Sequence, residues 1–89
     1  MAQVAERTVT LQSSSGLHAR PATLVVQQAK GFTSKITLLK GEKTANAKSL
    51  LSILALGAEQ GDSVVLKAEG EDAETAIEKL SAMLERDLG

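Results

Sequence analysis

An antiparallel sheet covered on one face by helices, an α+β fold, is what this sequence predicts. Two observations lead there. Short stretches with strand or helix periodicity follow one another as strand, helix, strand, strand, helix, strand, helix, and mixed short elements in such an order pack as two layers. A chain of 89 residues can also bury one modest core and no second one, and it shows no internal repeat, low-complexity tract or linker. Residues 1–89 are therefore read as a single domain.

Residues 6–12, ERTVTLQ, alternate polar side chains with Val9 and Leu11, the pattern of a half-buried strand. SSSG at 13–16 breaks it. From His18 to Lys30 the apolar residues Ala22, Val25, Val26 and Ala29 fall at i, i+3, i+4 and i+7, one face of a helix, and Gly31 follows as its expected stop. FTSKITLLK at 32–40 reads as a second strand, KGEK as a hairpin turn and TANAK at 44–48 as a weaker third strand. SLLSILALG at 49–57 is a short apolar helix with Ser49 as its N-cap and Gly57 as its stop. GDSVVLKAEG at 61–70, bounded by glycines, is the fourth strand. Ala73, Ala76, Ile77, Leu80, Leu84 and Leu88 then keep helical spacing among Glu and Lys residues.

Composition removes several function classes. Hydrophobic residues make up 43% of the chain, which argues against disorder. Phe32 is the only aromatic residue, too few for a stacking platform on single-stranded nucleic acid. The formal charge of −1 supplies no general field for polyanions, so no nucleic-acid partner is expected. Without cysteine there is no disulfide or thiolate metal site, and one histidine cannot build a multi-histidine site. No metal or cofactor is expected. MAQVAERTVTL lacks a long apolar run behind a basic start, so neither a signal peptide nor a membrane span is expected, and a cytoplasmic location is.

One stretch carries chemistry. GLHARPAT at 16–23 holds the only histidine and the only proline. Proline is favoured in the first turn of a helix, where its missing N–H would go unpaired anyway. With Pro21 in that turn, His18 and Ala19 occupy the cap region, where unpaired backbone N–H groups and the positive end of the macrodipole face outward. An anion there gains about 0.3–1 kcal/mol, and about 2 kcal/mol when partly buried. Arg20 adds a guanidinium able to grip phosphate oxygens in pairs, and Gly16 lets the chain turn closely before the imidazole. Histidine is nucleophilic near neutral pH and can accept and release a phosphoryl group. By local physics alone, however, a lone histidine near a helix start reads first as a surface or capping residue, and the arginine beside it as solvated.

GLHARPA closely resembles the active-site signature of the HPr family, the histidine-containing phosphocarriers of the bacterial phosphoenolpyruvate–sugar phosphotransferase system. The resemblance continues through AKGFTSKIT, AKSLLSILALG, QGDSVVLKAEGEDAE and the last amphipathic helix, and covers essentially the whole chain. It implies an open-faced β-sandwich, four antiparallel strands with three helices on one face in the order βαββαβα. It implies that His18 is phosphorylated at Nδ1 by enzyme I, which draws on phosphoenolpyruvate, and passes the group to enzyme IIA domains. Arg20 matches the arginine that assists transfer, and Pro21 the proline that opens the first helix.

The second helix carries Leu50, Leu51, Ile53, Leu54 and Leu56, more than one sheet can hide. Ile53 and Leu56 can point inward while Leu50, Leu51 and Leu54 leave an apolar patch outside; the alternative is that all five are core. The resemblance assigns partner docking to this helix and Gly57, and Thr23 is counted with that surface. Ser49 matches a serine that an HPr kinase/phosphorylase modifies in some members, its plainer reading being a helix cap alone. The chain is thus read as a monomeric protein substrate of other enzymes, not as an enzyme itself, with no direct insertion into a membrane. Two alternatives stay open: a nitrogen-related or regulatory paralogue using the same histidine, and a regulatory binding module that carries no phosphate. A small phosphatase is disfavoured, because no carboxylate, second histidine or thiol stands near the site in sequence.

Overall fold

The computed structural model describes residues 3–12 and 16–86. Seven elements occur in the expected order: β1 (Gln3–Thr10), α1 (Ala19–Ala29), β2 (Lys35–Lys40), β3 (Lys43–Asn46), α2 (Leu50–Leu56), β4 (Ser63–Gly70) and α3 (Ala73–Leu84). The strands form one antiparallel sheet in the order β1-β4-β2-β3. Side chains alternate between the faces of a strand. On one face Val9, Ile36, Leu38, Ala45, Val64, Leu66 and Ala68 are buried, whereas Thr8, Thr10, Thr44 and Asn46 on the other are exposed. The three helices lie over the buried face, giving the open-faced β-sandwich.

The helices bury the stripes that their spacing marks out. α1 turns Ala22, Val25, Val26 and Ala29 inward, and α3 turns Ala73, Ala76, Ile77, Leu80 and Leu84. Leu88, expected on the same stripe, lies outside the described residues. α3 packs on β1 and β4, α2 on β3, and α1 touches both other helices. With Phe32 only packed at the margin, the core is aliphatic and rich in alanine, which lets helix axes come close to the sheet. On the open face Lys67 and Glu69 pair at 3.5 Å, an exposed contact worth about 0–1 kcal/mol. Stability therefore rests on the aliphatic layer.

Strand ends differ from the sequence reading, for reasons that lie in partners distant along the chain. β1 starts at Gln3 because β4 offers a partner to every residue from Gln3, opposite Gly70, to Thr10, opposite Ser63. Leu11, though buried, leaves this ladder and bonds to the 61–62 backbone instead. β2 loses Phe32, Thr33 and Ser34, since the amides of Thr33 and Ser34 donate to the Asp72 carboxylate at 2.8 and 2.9 Å. β3 ends at Asn46, whose side chain accepts from Lys48 N and turns the chain. Gly31 is not a left-handed cap: α1 tightens at Lys30 through bonds from Gly31 N to Gln28 O and Phe32 N to Ala29 O.

Asp72 is the N-cap residue of α3, yet its side chain makes no cap bond. It reaches back to Thr33 and to both the amide and hydroxyl of buried Ser34, fastening the start of α3 to the loop before β2. The Ser34 hydroxyl first, then the Thr33 amide, hold its carboxyl down at about 2 from an ordinary 3.8. Between those values the unfolded chain takes up a proton that the folded chain refuses, so the stabilisation is complete above about pH 4 and is lost as pH falls through about 2. In thermal melts across this window Asp72→Asn is expected to melt below wild type at pH 7, with the gap closing toward pH 2. A gap independent of pH would show that the carboxylate is not the fastening group.

Candidate functional site

The segment that carries His18 is fixed at both ends to one turn. Where β1 ends, Leu11 N donates to Asp62 O and Gly61 N to Leu11 O, both at 2.9 Å. Just before His18, Leu17 N donates to Ala58 O, also at 2.9 Å. Gly16 lies so close to this turn that a Cβ would stand 2.6 Å from Ala58 O and from Glu59 Cα, and its φ of +63° suits glycine alone. Leu17, Pro21 and Ala22 are buried on either side, while His18, Ala19 and Arg20 are exposed. A small anchored stretch thus presents three consecutive residues to solvent.

His18 is the N-cap residue of α1, with extended backbone at φ −83° and ψ −170° and no side-chain cap bond. Its carbonyl accepts the first intrahelical bond, from Ala22 N at 2.9 Å. The amides of Ala19 and Arg20 precede that bond and have no partner one turn back. Pro21 is the third residue of the helix, within the first turn as expected. There it removes the remaining orphan donor by having none. The helix mouth therefore offers two backbone donors and the positive end of a macrodipole beside an exposed imidazole and an exposed guanidinium. Such an arrangement can steady an anionic group attached to His18.

The anchoring turn is also the exit of α2. Gly57 caps that helix in the left-handed conformation, φ 68° and ψ 27°, and Ala58 follows at once. At the other end the Ser49 hydroxyl accepts from Ser52 N at 3.3 Å. Ile53 and Leu56 are buried; Leu51 is 80% exposed, and Leu50 and Leu54 are 38% exposed. Thr23 donates its hydroxyl to Ala19 O within α1. The reading from sequence missed Leu24, equally exposed at 38%. It lies one turn beyond Arg20 on the solvent stripe of α1, and only the opposite, buried stripe had been traced.

Also unnoticed in the sequence is a pair beneath the turn. Lys40, at the end of β2, reaches Asp62 at 3.1 Å and donates to Gly57 O at 3.1 Å. The Glu59 amide first, and Lys40 after it, hold the Asp62 carboxyl below the usual carboxylate range. Among the described residues no three acidic or imidazole side chains converge as a metal-binding group would require. No helix among them is long and apolar enough to cross a membrane.

A family model described as the PTS HPr component phosphorylation site matches residues 5–86. The chain belongs to the HPr family. Phosphocarrier protein HPr of Buchnera aphidicola is 46% identical over 79 residues, which are 89% of this chain and 93% of that protein. A crystal structure of a phosphocarrier protein HPr from Bacillus anthracis superposes with a TM-score of 0.88 at 40% identity, covering 91% of this chain and 96% of the other. The HPr-like protein Crh of Bacillus subtilis is 41% identical over 93% of this chain and 98% of its own length. Crh crystallised as a domain-swapped dimer matches with a TM-score of 0.77 at 42% identity, covering 91% and 93% of the two chains. The HPr match takes in the His18 segment, α1 and α2 alike.

Three substitutions test this local architecture. Gly16→Ala is expected to push the His18 segment off the 57–62 turn, visible as amide shift changes at Leu17 and Ala58 with a lowered melting temperature. Unchanged shifts there would refute the close approach. Leu51→Glu is expected to stay within about 0.5 kcal/mol of wild type, as exposed changes do, whereas Ile53→Glu buries an unpaired charge and should lose several kcal/mol. Equal losses in urea denaturation would refute the assignment of one leucine to the surface and its isoleucine neighbour to the core.

Proposed function

We propose that this HPr-family chain carries a phosphoryl group on His18, accepting it from enzyme I and donating it to enzyme IIA domains in sugar uptake. The observation that carries the reading is an exposed histidine at the N-cap of α1, beside two amides that precede the first helical bond and beside exposed Arg20. In the forward step the imidazole Nδ1 lone pair attacks phosphorus, a P–N bond forms and the bond from phosphorus to the donor breaks. In the onward step the acceptor's nucleophile attacks, and the P–N electrons return to the imidazole. The helix mouth and Arg20 balance the charge on the phosphoryl oxygens while the group changes hands. The chain is a substrate of its partners rather than an enzyme. In this reading the protein acts as a monomer in the cytoplasm, although an HPr from Thermoanaerobacter tengcongensis has been crystallised as a dimer.

Leu50, Leu51 and Leu54, with Thr23, Leu24 and Gly57, form the docking surface in this reading. Exposed apolar patches of this kind mark contact sites. Ser49 stands at the edge of the patch, and its cap bond accounts for it without a kinase. Phosphorylation there by an HPr kinase/phosphorylase would add about −1.5 to −2 charges beside Leu50 and so oppose docking. A regulatory reading draws on the 41% identity with Crh; a nitrogen-related paralogue would use the same histidine with a different enzyme I.

Incubation with enzyme I and labelled phosphoenolpyruvate is expected to place an acid-labile, base-stable label on His18 and none on His18→Ala. Label retained by a folded His18→Ala protein, or absent from wild type, would overturn the proposal. Arg20→Ala should slow transfer about a hundredfold, or about 3 kcal/mol, the usual loss for one positioned electrostatic contact. Leu51→Glu should raise KM for enzyme I and IIA partners. An unaltered KM would remove α2 from the docking surface.

A further inference from the structure

The 57–62 turn does two jobs at once. It receives Leu17 N–H one residue before His18, and it leads out of α2 through Gly57. What braces the turn comes from the end of β2, distant in sequence but adjacent in space. Lys40 Nζ lies 3.1 Å from Asp62 Oδ2 and 3.1 Å from Gly57 O, so one ammonium spans both ends of the turn. Asp62 Oδ2 in turn accepts from Glu59 N at 2.8 Å, and Asp62 N donates to Glu59 O at 3.0 Å, closing the turn internally. The Asp62 carbonyl and the Gly61 amide hold Leu11. Among the described residues, the bonds of Leu11 and Leu17 to this turn therefore run to backbone that Lys40 and Asp62 brace, while Gln12 N bonds separately to Leu84 O.

We infer that Lys40 and Asp62 are positioning residues for phosphoryl transfer at His18, acting through the 57–62 turn. Neither touches the imidazole in this account; they hold the Ala58 carbonyl where Leu17 N–H can meet it. Magnitudes favour a geometric role over a global one. Both side chains are about one-third exposed, and ion pairs in that setting contribute only about 0–1 kcal/mol to folding. A misplacement of about 1 Å at a reacting group, by contrast, costs about a hundredfold in rate. A turn loosened but not lost should give part of that, about three- to tenfold. Lys40 also lies at the C-terminal end of α2, where a cation suits the helix dipole, so the brace is favourable in its free state.

The inference rests on reading His18 as the phosphoryl acceptor, and its test separates the two. Lys40→Met, Asp62→Asn, Lys40→Arg and, as a charge control, Lys43→Met are compared with wild type in the full chain. The first readout needs no partner: hydrogen exchange at the Leu17 amide, against the Leu66 amide of the central sheet. Lys40→Met and Asp62→Asn are expected to speed exchange at Leu17 and leave Leu66 unchanged. The second readout is transfer from enzyme I with phosphoenolpyruvate. There kcat should fall about three- to tenfold with KM within about twofold, Lys40→Arg should restore it, and Lys43→Met should match wild type. Unchanged Leu17 exchange overturns the inference, as does equal acceleration at Leu17 and Leu66, which would make the pair merely stabilising. An effect confined to KM, or shared by Lys43→Met, overturns it in favour of a docking charge. If wild type takes no label, the carrier reading fails, and with it the word transfer. Leu17 exchange still decides whether the pair places the segment.

Discussion

The hydrogen bond from Leu17 N–H to the Ala58 carbonyl is the contact on which the geometry of the candidate site depends. It ties the entrance of α1 to the exit of α2, two helices that the sheet alone would leave independent at that end. A single such bond is worth only about 0.5–1.5 kcal/mol net. Its weight comes from what crowds around it. Gly16 must be glycine to let the backbones meet, Gly57 must be left-handed to bring Ala58 there, and Leu11 anchors the same turn from β1.

The division of labour between core and surface is sharp for so small a chain. The interior is aliphatic and close to featureless, with Ser34 and Ser81 as its buried polar residues among those described. Each is satisfied: Ser34 by Asp72, and Ser81 by Arg7 at 2.7 Å together with Glu78 O. Nothing in the core has chemistry to offer. The candidate residues His18, Arg20, Leu50, Leu51 and Leu54 sit at a helix end and on the solvent-facing sides of α1 and α2, so they can change without repacking the interior. Leu24, Leu50, Leu51 and Leu54 leave apolar surface exposed on those sides, the kind of surface that commonly marks contact sites.

Most of this was legible in the residues because the signals are local. Helical stripes repeat every 3.6 residues, and the buried faces of α1 and α3 coincide with the traced positions from Ala22 to Leu84. GLHARPA and the Ser49 and Gly57 caps are also contiguous signals. What stayed hidden is set by partners far along the chain. Asp72 strips three residues from β2 across 38 and 39 positions, and β4 lengthens β1 beyond any alternation of its own, since Ala5 and Arg7 occupy inward positions there. Lys40 and Asp62 look like ordinary surface charges until the sheet aligns them. Gly31 marks the end of α1 as its residue type suggests, although the helix closes there by a tightened turn and not by a left-handed glycine.

The third position of α1 bears on reversibility. Beyond the N-cap's own amide, an ordinary helix start presents three free amides before its first internal bond. Pro21 leaves two. If His18 carries a phosphoryl group, two helix amides rather than three would face its oxygens. Any further donor that acted on the loaded state more than on the transition state would deepen the well the group has to leave. On that condition Pro21 would keep the loaded histidine ready to release, with Arg20 supplying the remaining attraction.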